Sequence, residues 1–421
     1  MRPFFRVGIR EESCDCIIGV QGNKVPQISA VWKGGSALAE TQLKEKKVEY
    51  IELIYDLIFV YLIGKSATFL DRVEAGFISF TTITQYLASS LIFIQIWYHT
   101  TLYINRYGKN SLRETVMLMI NMFLLYIMGA TTSLGWNVNY TVFASAWALI
   151  LINIGVNYVL ELKTADEFAR LHIRQNLILL FVQAALILAS IPFYSATGYA
   201  VGVWTMVLGF CVTPFLRKVP VNFAHLSERV MLYVVLTFGE MIVIVAEYFT
   251  DGFSFQTYYY ALMSFLIVSG LFFSYGFVYD RLLDRQGEIT GNGYMLLHVF
   301  MIAALSFVTT SLEFLRQMEI RDFPKTVMML VSLFVYFFCL ALTERWSKRR
   351  FHNRGRFMGI LIAEFIVFAL ACLLFMGNGY VCIAIMAAYI YLQLAALFLS
   401  DRHSEEKEEI RDSNRENEIT E

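Results

Sequence analysis

Long apolar runs, each followed by a short polar stretch, recur along the chain from residue 48 to residue 400. A helix needs about 20 apolar residues to cross a bilayer. Twelve windows reach this length and predict twelve transmembrane helices: 49–70, 77–103, 113–135, 140–161, 173–191, 197–216, 228–249, 255–280, 292–313, 326–346, 357–376 and 379–400. The pattern therefore predicts an all-α polytopic membrane protein.

The first window differs from the others because it carries charged residues within its apolar sequence. Glu52 and Asp56 are four residues apart, so they share one face of a helix. Lys65 lies roughly 13 Å beyond Asp56 at about 1.5 Å per residue. An ionisable side chain in hydrocarbon costs about 2.5–3.5 kcal/mol and normally faces the bundle interior. We therefore expect these residues to line a polar site inside the bundle.

Lysine and arginine are distributed unevenly between the predicted connections. The even-numbered connections hold 17 of them and the odd-numbered connections hold 4. Positively charged loops remain in the cytoplasm, so both termini are predicted to be cytoplasmic, in a protein embedded in the cell membrane.

Two polar segments flank the apolar region. Residues 1–47 contain only a short apolar patch, below the length of a signal-peptide core, and are predicted to be a mostly disordered cytoplasmic leader. Residues 401–421 hold nine acidic and four basic residues and are predicted to be an acidic cytoplasmic tail.

The apolar region contains similar strings at a regular offset. The string TTSL that begins at Thr131 occurs again at Thr309, and several other polar positions recur at a similar distance. This recurrence predicts two six-helix repeats, 48–216 and 217–400, which share one orientation because six is an even number. Chance similarity between apolar helices is the alternative explanation.

Further charged residues fall within or beside the predicted helices. The candidate coupling residues are Glu52, Asp56, Lys65, Glu228, Arg229, Glu240, His298 and Glu364. Carboxylates and histidines placed along a bundle are typical of proton relays and ion-coupled transporters. In the structural alternative, Glu240 forms a buried ion pair with Lys65, and Arg229 pairs with a carboxylate of the first helix to fix packing.

Composition and missing motifs exclude several functional classes. The chain is 57% hydrophobic and 16% charged, against about 25% charged residues in soluble domains. Its net charge of −1 gives no reason to expect nucleic-acid binding. The sequence has no phosphate-binding loop, metal-hydrolase motif, regular arginine series or potassium-filter motif, and Cys14 and Cys16 have no flanking histidine. We therefore expect no enzyme activity, no cofactor and no metal site.

Several motifs resemble the low temperature requirement protein A (LtrA) family. The segment Glu52–Val60, ELIYDLIFV, is similar to the family motif ELFFDLVFV. Three later segments also resemble family motifs: Trp97–Tyr107, His225–Arg229 followed by Gly239-Glu240, and His298–Glu313. The resemblance covers residues 48–400.

The resemblance implies a polytopic membrane protein associated with growth in the cold, without naming a substrate. It supports a role for five of the candidates, namely Glu52, Asp56, Glu228, Arg229 and Glu240. Lys65 departs from the family pattern, in which a neutral polar residue is usual. A polar Gly108-Lys109-Asn110 run also replaces the acidic stretch of the family.

The leading functional hypothesis is a secondary transporter or ion-coupled carrier of an unknown small solute or ion, with Asp56 and Glu240 at the coupling site. The alternative is a non-transporting membrane-integrity or scaffold protein whose charges only fix helix packing. A lipid-modifying membrane enzyme would require His298 and a carboxylate to converge on a cavity open to the bilayer.

Overall fold

The computed structural model describes residues 47–420 apart from 68–69, 71–72, 75, 134–135, 194–195, 287–288, 317–319 and 349–353. Almost all of the predicted leader, including its two cysteines, lies outside the described residues. The described part contains twelve α-helices: α1 Tyr50–Ala67, α2 Phe80–Tyr107, α3 Leu112–Ser133, α4 Trp136–Glu161, α5 Glu167–Ser190, α6 Ala196–Val212, α7 Phe223–Glu247, α8 Phe255–Phe277, α9 Asn292–Arg316, α10 Asp322–Leu342, α11 Arg354–Leu374 and α12 Gly379–Thr420.

Eight of these helices are long and apolar enough to cross a membrane. Shorter apolar helical segments lie in α6 and α11, at Ala200–Val212 and Met358–Leu374. The two remaining helices, α1 and α2, carry more polar residues. The all-helical membrane architecture is confirmed, while the count of twelve spans and the repeat layout stay predictions.

Helix α2 carries many polar side chains and is enclosed by other helices. It contacts α1, α4, α6, α7 and α9, and most of its residues are buried. A helix enclosed by other helices needs no apolar face towards lipid, so it can carry polar side chains. Two examples are Gln95 and Thr100, both fully buried.

The helix contacts follow a similar order in the two halves of the chain. In the first half, α1 packs on α2 and α3, α3 on α4, and α5 on α6. In the second half, α7 packs on α8 and α9, α9 on α10, and α11 on α12. The two halves also meet directly where α1 packs against α7. This α1–α7 interface holds the charged residues described below.

Helix α7 begins earlier than the predicted start at residue 228. The side chain of Asn222 caps the helix by accepting a hydrogen bond from the backbone N–H of His225 at 3.1 Å. His225, Arg229 and Tyr233 therefore lie within the helix at a spacing of four residues, on one buried face. Arg229, one of the 17 basic residues assigned from the sequence to the even-numbered connections, is fully buried instead.

Helix α1 begins at one end of the bundle. We call this end the inner end, because the charge bias predicts that it is cytoplasmic. At the opposite, outer end, a short hairpin joins α1 to α2. Its strands are β1, Val73–Glu74, and β2, Phe77–Ile78, which pair antiparallel. Gly76 lies in the turn with a φ of 83°, which favours glycine.

Helix α6 is held against its neighbours by two buried amides. Gln95 of α2 donates to the carbonyl oxygen of Met206 at 2.6 Å, and Gln183 of α5 donates to that of Thr205 at 2.8 Å. Both amide nitrogens lie where a side chain at Gly209 would be. Glycine at this position therefore allows two polar side chains to bind α6 within the apolar part of the bundle.

Helix α12 continues to Thr420, through the segment predicted to be an acidic tail.

Candidate functional site

Asp56 lies at the centre of the α1–α7 interface and is fully buried. Its Oδ1 accepts a hydrogen bond from Nη2 of Arg229 at 2.6 Å and another from the indole Nε1 of Trp97 at 2.7 Å. Arg229 Nε lies 3.4 Å from the second carboxylate oxygen. The three side chains come from α1, α7 and α2, so this contact joins three helices.

Glu52 lies one turn further towards the inner end on the same face of α1. Its Oε2 is 3.3 Å from Nε of Arg229 and 3.2 Å from Nε2 of His225. On the other side of the imidazole ring, Nδ1 of His225 lies 3.0 Å from Nδ2 of Asn105. Because Asn105 donates to Nδ1, the ring carries its proton on Nε2, which faces Glu52.

We call this group the inner ionic layer: Glu52, Asp56, Trp97, His225 and Arg229. Its ionisable side chains are all nearly or fully buried. Removing charges from water costs several kcal/mol per ion unless the pairing geometry is good. The layer satisfies this condition because the guanidinium of α7 contacts both carboxylates of α1.

Nη1 of Arg229, within the layer, has no hydrogen-bond partner among the described residues. The same is true of the hydroxyl of Tyr233, one turn away on α7. The Tyr233 ring packs on Trp97 with 4.6 Å between ring centroids. Buried polar groups nearly always have a partner, so these two atoms have capacity to bind water or a ligand.

A cavity of about 190 Å³ lies further towards the outer end of the same interface. The outer halves of α1, α7 and α9 form it, together with Tyr86 of α2. Three carboxylates line it, those of Glu240, Glu247 and Glu313. Hydroxyl groups also line this acid cavity, from Tyr86, Thr237, Ser306, Thr309 and Thr310. Among the described residues that line it, there is no lysine, arginine or histidine.

Gly64 brings the backbone of α1 close to the carboxylate of Glu240. A Cβ atom at this position would lie only 2.6 Å from Oε1 of Glu240. The missing side chain therefore allows Glu240 to lie against α1 inside the acid cavity.

The acid cavity and the inner ionic layer form two levels of one helix interface. Gly64 lies eight residues beyond Asp56, roughly 12 Å along α1 at about 1.5 Å per residue. Phe59 and Tyr233 lie between the two levels, and both are fully buried. Packed protein therefore separates the acid cavity from the inner end.

Lys65 does not form the ion pair considered from the sequence. Among the described residues, no ion pair joins Lys65 to Glu240, so that interpretation was wrong. The ammonium of Lys65 lies 5.7 Å from the ring centroid of Tyr61, whose side chain is exposed on α1. Glu228 also lies apart from the layer, partly exposed and near Tyr279, which follows the C-terminal end of α8.

His298 and Glu364 lie away from both levels. The imidazole of His298 hydrogen-bonds to the carbonyl oxygen of Tyr294 at 2.9 Å and packs edge-on against Tyr275. The carboxylate of Glu364, on α11, accepts a hydrogen bond from Gln393 of α12 at 2.7 Å. The structure therefore does not bring these two residues together with Asp56 or Glu240.

Sequence reasoning did not include His225, Trp97, Asn105 or Gly64 among the candidate site residues. A spacing signal was present for three of them. His225 precedes Arg229 by four residues, and Trp97 precedes Asn105 by eight, so each pair shares a helix face. Nothing local in the sequence indicates that Gly64 faces Glu240.

In the part of the chain that the structure describes, no group of three or more histidine, cysteine or acidic residues is arranged to hold a metal ion.

Comparison with known proteins identifies the family. The profile of one family, described as "Bacterial low temperature requirement A protein (LtrA)", matches residues 47–394. No curated protein and no solved structure matches the chain. The match spans most of the chain and includes both levels of the α1–α7 interface, and the apolar helices agree with an integral membrane protein. The chain therefore belongs to the bacterial low temperature requirement A (LtrA) family.

Proposed function

We propose that this protein is a secondary carrier that couples to a cation, and that the cation enters the acid cavity. The observation that carries this proposal is the arrangement of the α1–α7 interface. A carboxylate-lined cavity lies in its outer half, and a closed ionic layer lies in its inner half. A carrier that faces one side of the membrane has this arrangement, with an accessible site on one side and a barrier on the other.

The lining of the acid cavity favours a cation over an anion or an apolar solute. Glu240, Glu247 and Glu313 supply negative charge, and the surrounding hydroxyl groups supply oxygen ligands. Oxygen atoms of this kind replace part of the hydration shell of a small cation.

The charges of the inner ionic layer favour coupling to protons. Glu52 and Asp56 carry two negative charges, while Arg229 supplies one positive charge. A proton shared with one of the two carboxylates balances the layer. Gain or loss of that proton changes the attraction between α1 and α7, and this attraction keeps the inner end closed.

The proposed arrangement in the membrane follows from the sequence. We place twelve spans in two six-helix repeats in the cell membrane, with both termini in the cytoplasm. The acid cavity then opens to the outside. Movement of one repeat against the other about the α1–α7 interface opens the inner end.

The second candidate is a non-transporting membrane-integrity protein. The close pairing of the inner ionic layer favours it, because buried pairs can fix the packing of helices without any further role. In that case the purified protein carries neither proton flux nor sodium flux, so neutralising Glu240 has no effect on either.

Glu240→Gln tests the proposal in purified protein reconstituted into liposomes. Proton flux is driven by an imposed membrane potential and followed with a trapped pH-sensitive dye, and sodium flux is followed with radioactive sodium. An interaction with a charged group is worth about 1.5–3 kcal/mol, so the flux of the coupled ion should fall roughly tenfold or more.

Glu364→Gln is the matched control. It neutralises another glutamate within a membrane helix, but one that lies outside the acid cavity and contacts Gln393. We expect its flux to equal that of the unaltered protein. Zero flux of both ions in the unaltered protein, or equal loss in both variants, would contradict the carrier proposal.

A further inference from the structure

Two apolar grooves run along opposite sides of α10. The larger, of about 550 Å³, lies between α10, α9 and the outer part of α2, and the hairpin closes its outer end. The smaller, of about 300 Å³, lies between α10 and α11. Phe323, Val327 and Val331 of α10 contribute to both grooves. The two grooves therefore form a pair that straddles one helix.

The length of the grooves corresponds to one leaflet of a bilayer. In the larger groove the α10 lining extends from Phe323 to Val335, about 18 Å at roughly 1.5 Å per residue. Half of the hydrocarbon core is about 15 Å thick. A transmembrane helix of a partner would cross both leaflets, whereas an acyl chain ends near the midplane, where these grooves end.

A positive charge lies at the outer end of α10, where the grooves begin. Arg321 is exposed and immediately precedes the first residue of the helix. Its guanidinium lies 4.6 Å from the ring centroid of Phe77, and its backbone N–H donates to Gly76 at 3.0 Å. Among the described residues, no carboxylate lies within ion-pair distance of Arg321, although Asp322 is its exposed neighbour in the sequence.

In the sequence, the basic residues of the odd-numbered connections fall in two of these connections. The odd-numbered connections contain four of them, namely Arg72, Arg316, Arg321 and Lys325. The first lies in the connection between α1 and α2, and the others lie at or near the connection between α9 and α10. The hydrogen bond from Arg321 to Gly76 joins these two connections.

We propose that the two grooves bind one two-chain anionic phospholipid. Its acyl chains lie on either side of α10, and its phosphate group contacts Arg321. Arginine binds phosphate oxygens through several N–H donors at once, which distinguishes an anionic headgroup from one whose phosphate is neutralised by choline. The apolar lining binds the chains through the hydrophobic effect. This site is separate from the acid cavity and does not depend on transport.

Native mass spectrometry of the full chain tests this proposal. The protein, stripped of lipid by detergent, is mixed with phosphatidylglycerol or with phosphatidylcholine of identical acyl chains. We expect one retained phosphatidylglycerol per chain, and at least about tenfold weaker retention of phosphatidylcholine, which is the effect of losing one charge-assisted contact.

Two variants with matched controls separate the headgroup from the chains. Arg321→Gln should remove the preference for phosphatidylglycerol, while Arg217→Gln, at an exposed arginine near the inner end, should preserve it. Val331→Trp fills both grooves and should abolish retention of either lipid. Its control is Val243→Trp on α7, because Val331 and Val243 are similarly exposed, at 56% and 54%.

Three results would overturn the proposal. The first is equal retention of the two lipids by the unaltered protein. The second is an unchanged lipid preference in Arg321→Gln, which alters an exposed side chain just before the first residue of α10. The third is a dimer that Val331→Trp dissociates, because a second copy would then occupy the grooves.

Discussion

Replacing Arg229 by methionine is expected to lower the free energy of unfolding by about 3–5 kcal/mol, the range for removing one partner of a buried ion pair. The variant leaves Asp56 and Glu52 buried without the guanidinium that contacts both of them. Methionine preserves much of the side-chain volume, so the loss reports charge more than packing. Denaturant unfolding of the purified protein in detergent measures it.

A second substitution identifies the cause of this loss. Asp56→Leu in the Arg229→Met background removes the carboxylate that contacted the guanidinium, so it should recover more than half of the lost stability. Arg281→Met, at an exposed arginine beyond α8, is the control and should change stability by less than about 0.5 kcal/mol. If the loss of unfolding free energy in the double variant equals the sum of the losses in the two single variants, Asp56 and Arg229 are not coupled.

Gly64→Ala is expected to slow ion flux strongly while preserving the fold. Its Cβ atom displaces the carboxylate of Glu240, which is the mobile end of a side chain and can move. Alanine also favours a helix interior over glycine by about 0.5–1 kcal/mol, so stability should be unchanged or slightly higher. We expect flux in liposomes to fall roughly tenfold, the effect of losing one contact with a charged group.

Gly239→Ala is the matched control for this result. It makes the same chemical change on α7, beside Glu240, but the added Cβ atom meets nothing within 4 Å. We expect its flux to be unaltered. Equal flux in the Gly64 and Gly239 variants would mean that the position of Glu240 against α1 has no role in transport.

The sequence predicts the helical architecture well because the bilayer imposes a length and an apolar composition on each helix. Each of the twelve predicted windows overlaps a helix of the structure, including α1, whose charges reduce its apolar character. The boundaries were less accurate. The start of α7 was placed too late because Arg229 resembles a loop cation, whereas Asp56 and Glu52 neutralise it inside the bundle.

Part of the inner ionic layer was also accessible from the sequence. Glu52 and Asp56 share a helix face by spacing alone, and Arg229 was named as a partner of either one. The structure contains both contacts. The contributions of Trp97 and His225 depend on which faces of α2 and α7 meet α1, and helix spacing does not determine this.

The position of a residue within a predicted helix was a poor guide to the acid cavity. Lys65 and Glu240 both lie within predicted helices, and their opposite charges suggested an ion pair. The sequence does not specify which way each side chain faces around its helix axis. Lys65 projects towards Tyr61, whereas Gly64 faces Glu240. His298 and Glu364 were also named as candidates because they lie in apolar windows, although they contact other helices.

The most direct test of the two-level interface is labelling by a membrane-impermeant maleimide from the outside. The six native cysteines are first replaced by alanine, and single cysteines are then introduced as Thr309→Cys or Thr100→Cys. Thr309 lines the acid cavity, whereas Thr100 is fully buried beside Tyr55 in the inner half. The arrangement described here predicts rapid labelling of Thr309→Cys and none of Thr100→Cys. An unreactive Thr309→Cys, or equal labelling at both positions, would contradict it.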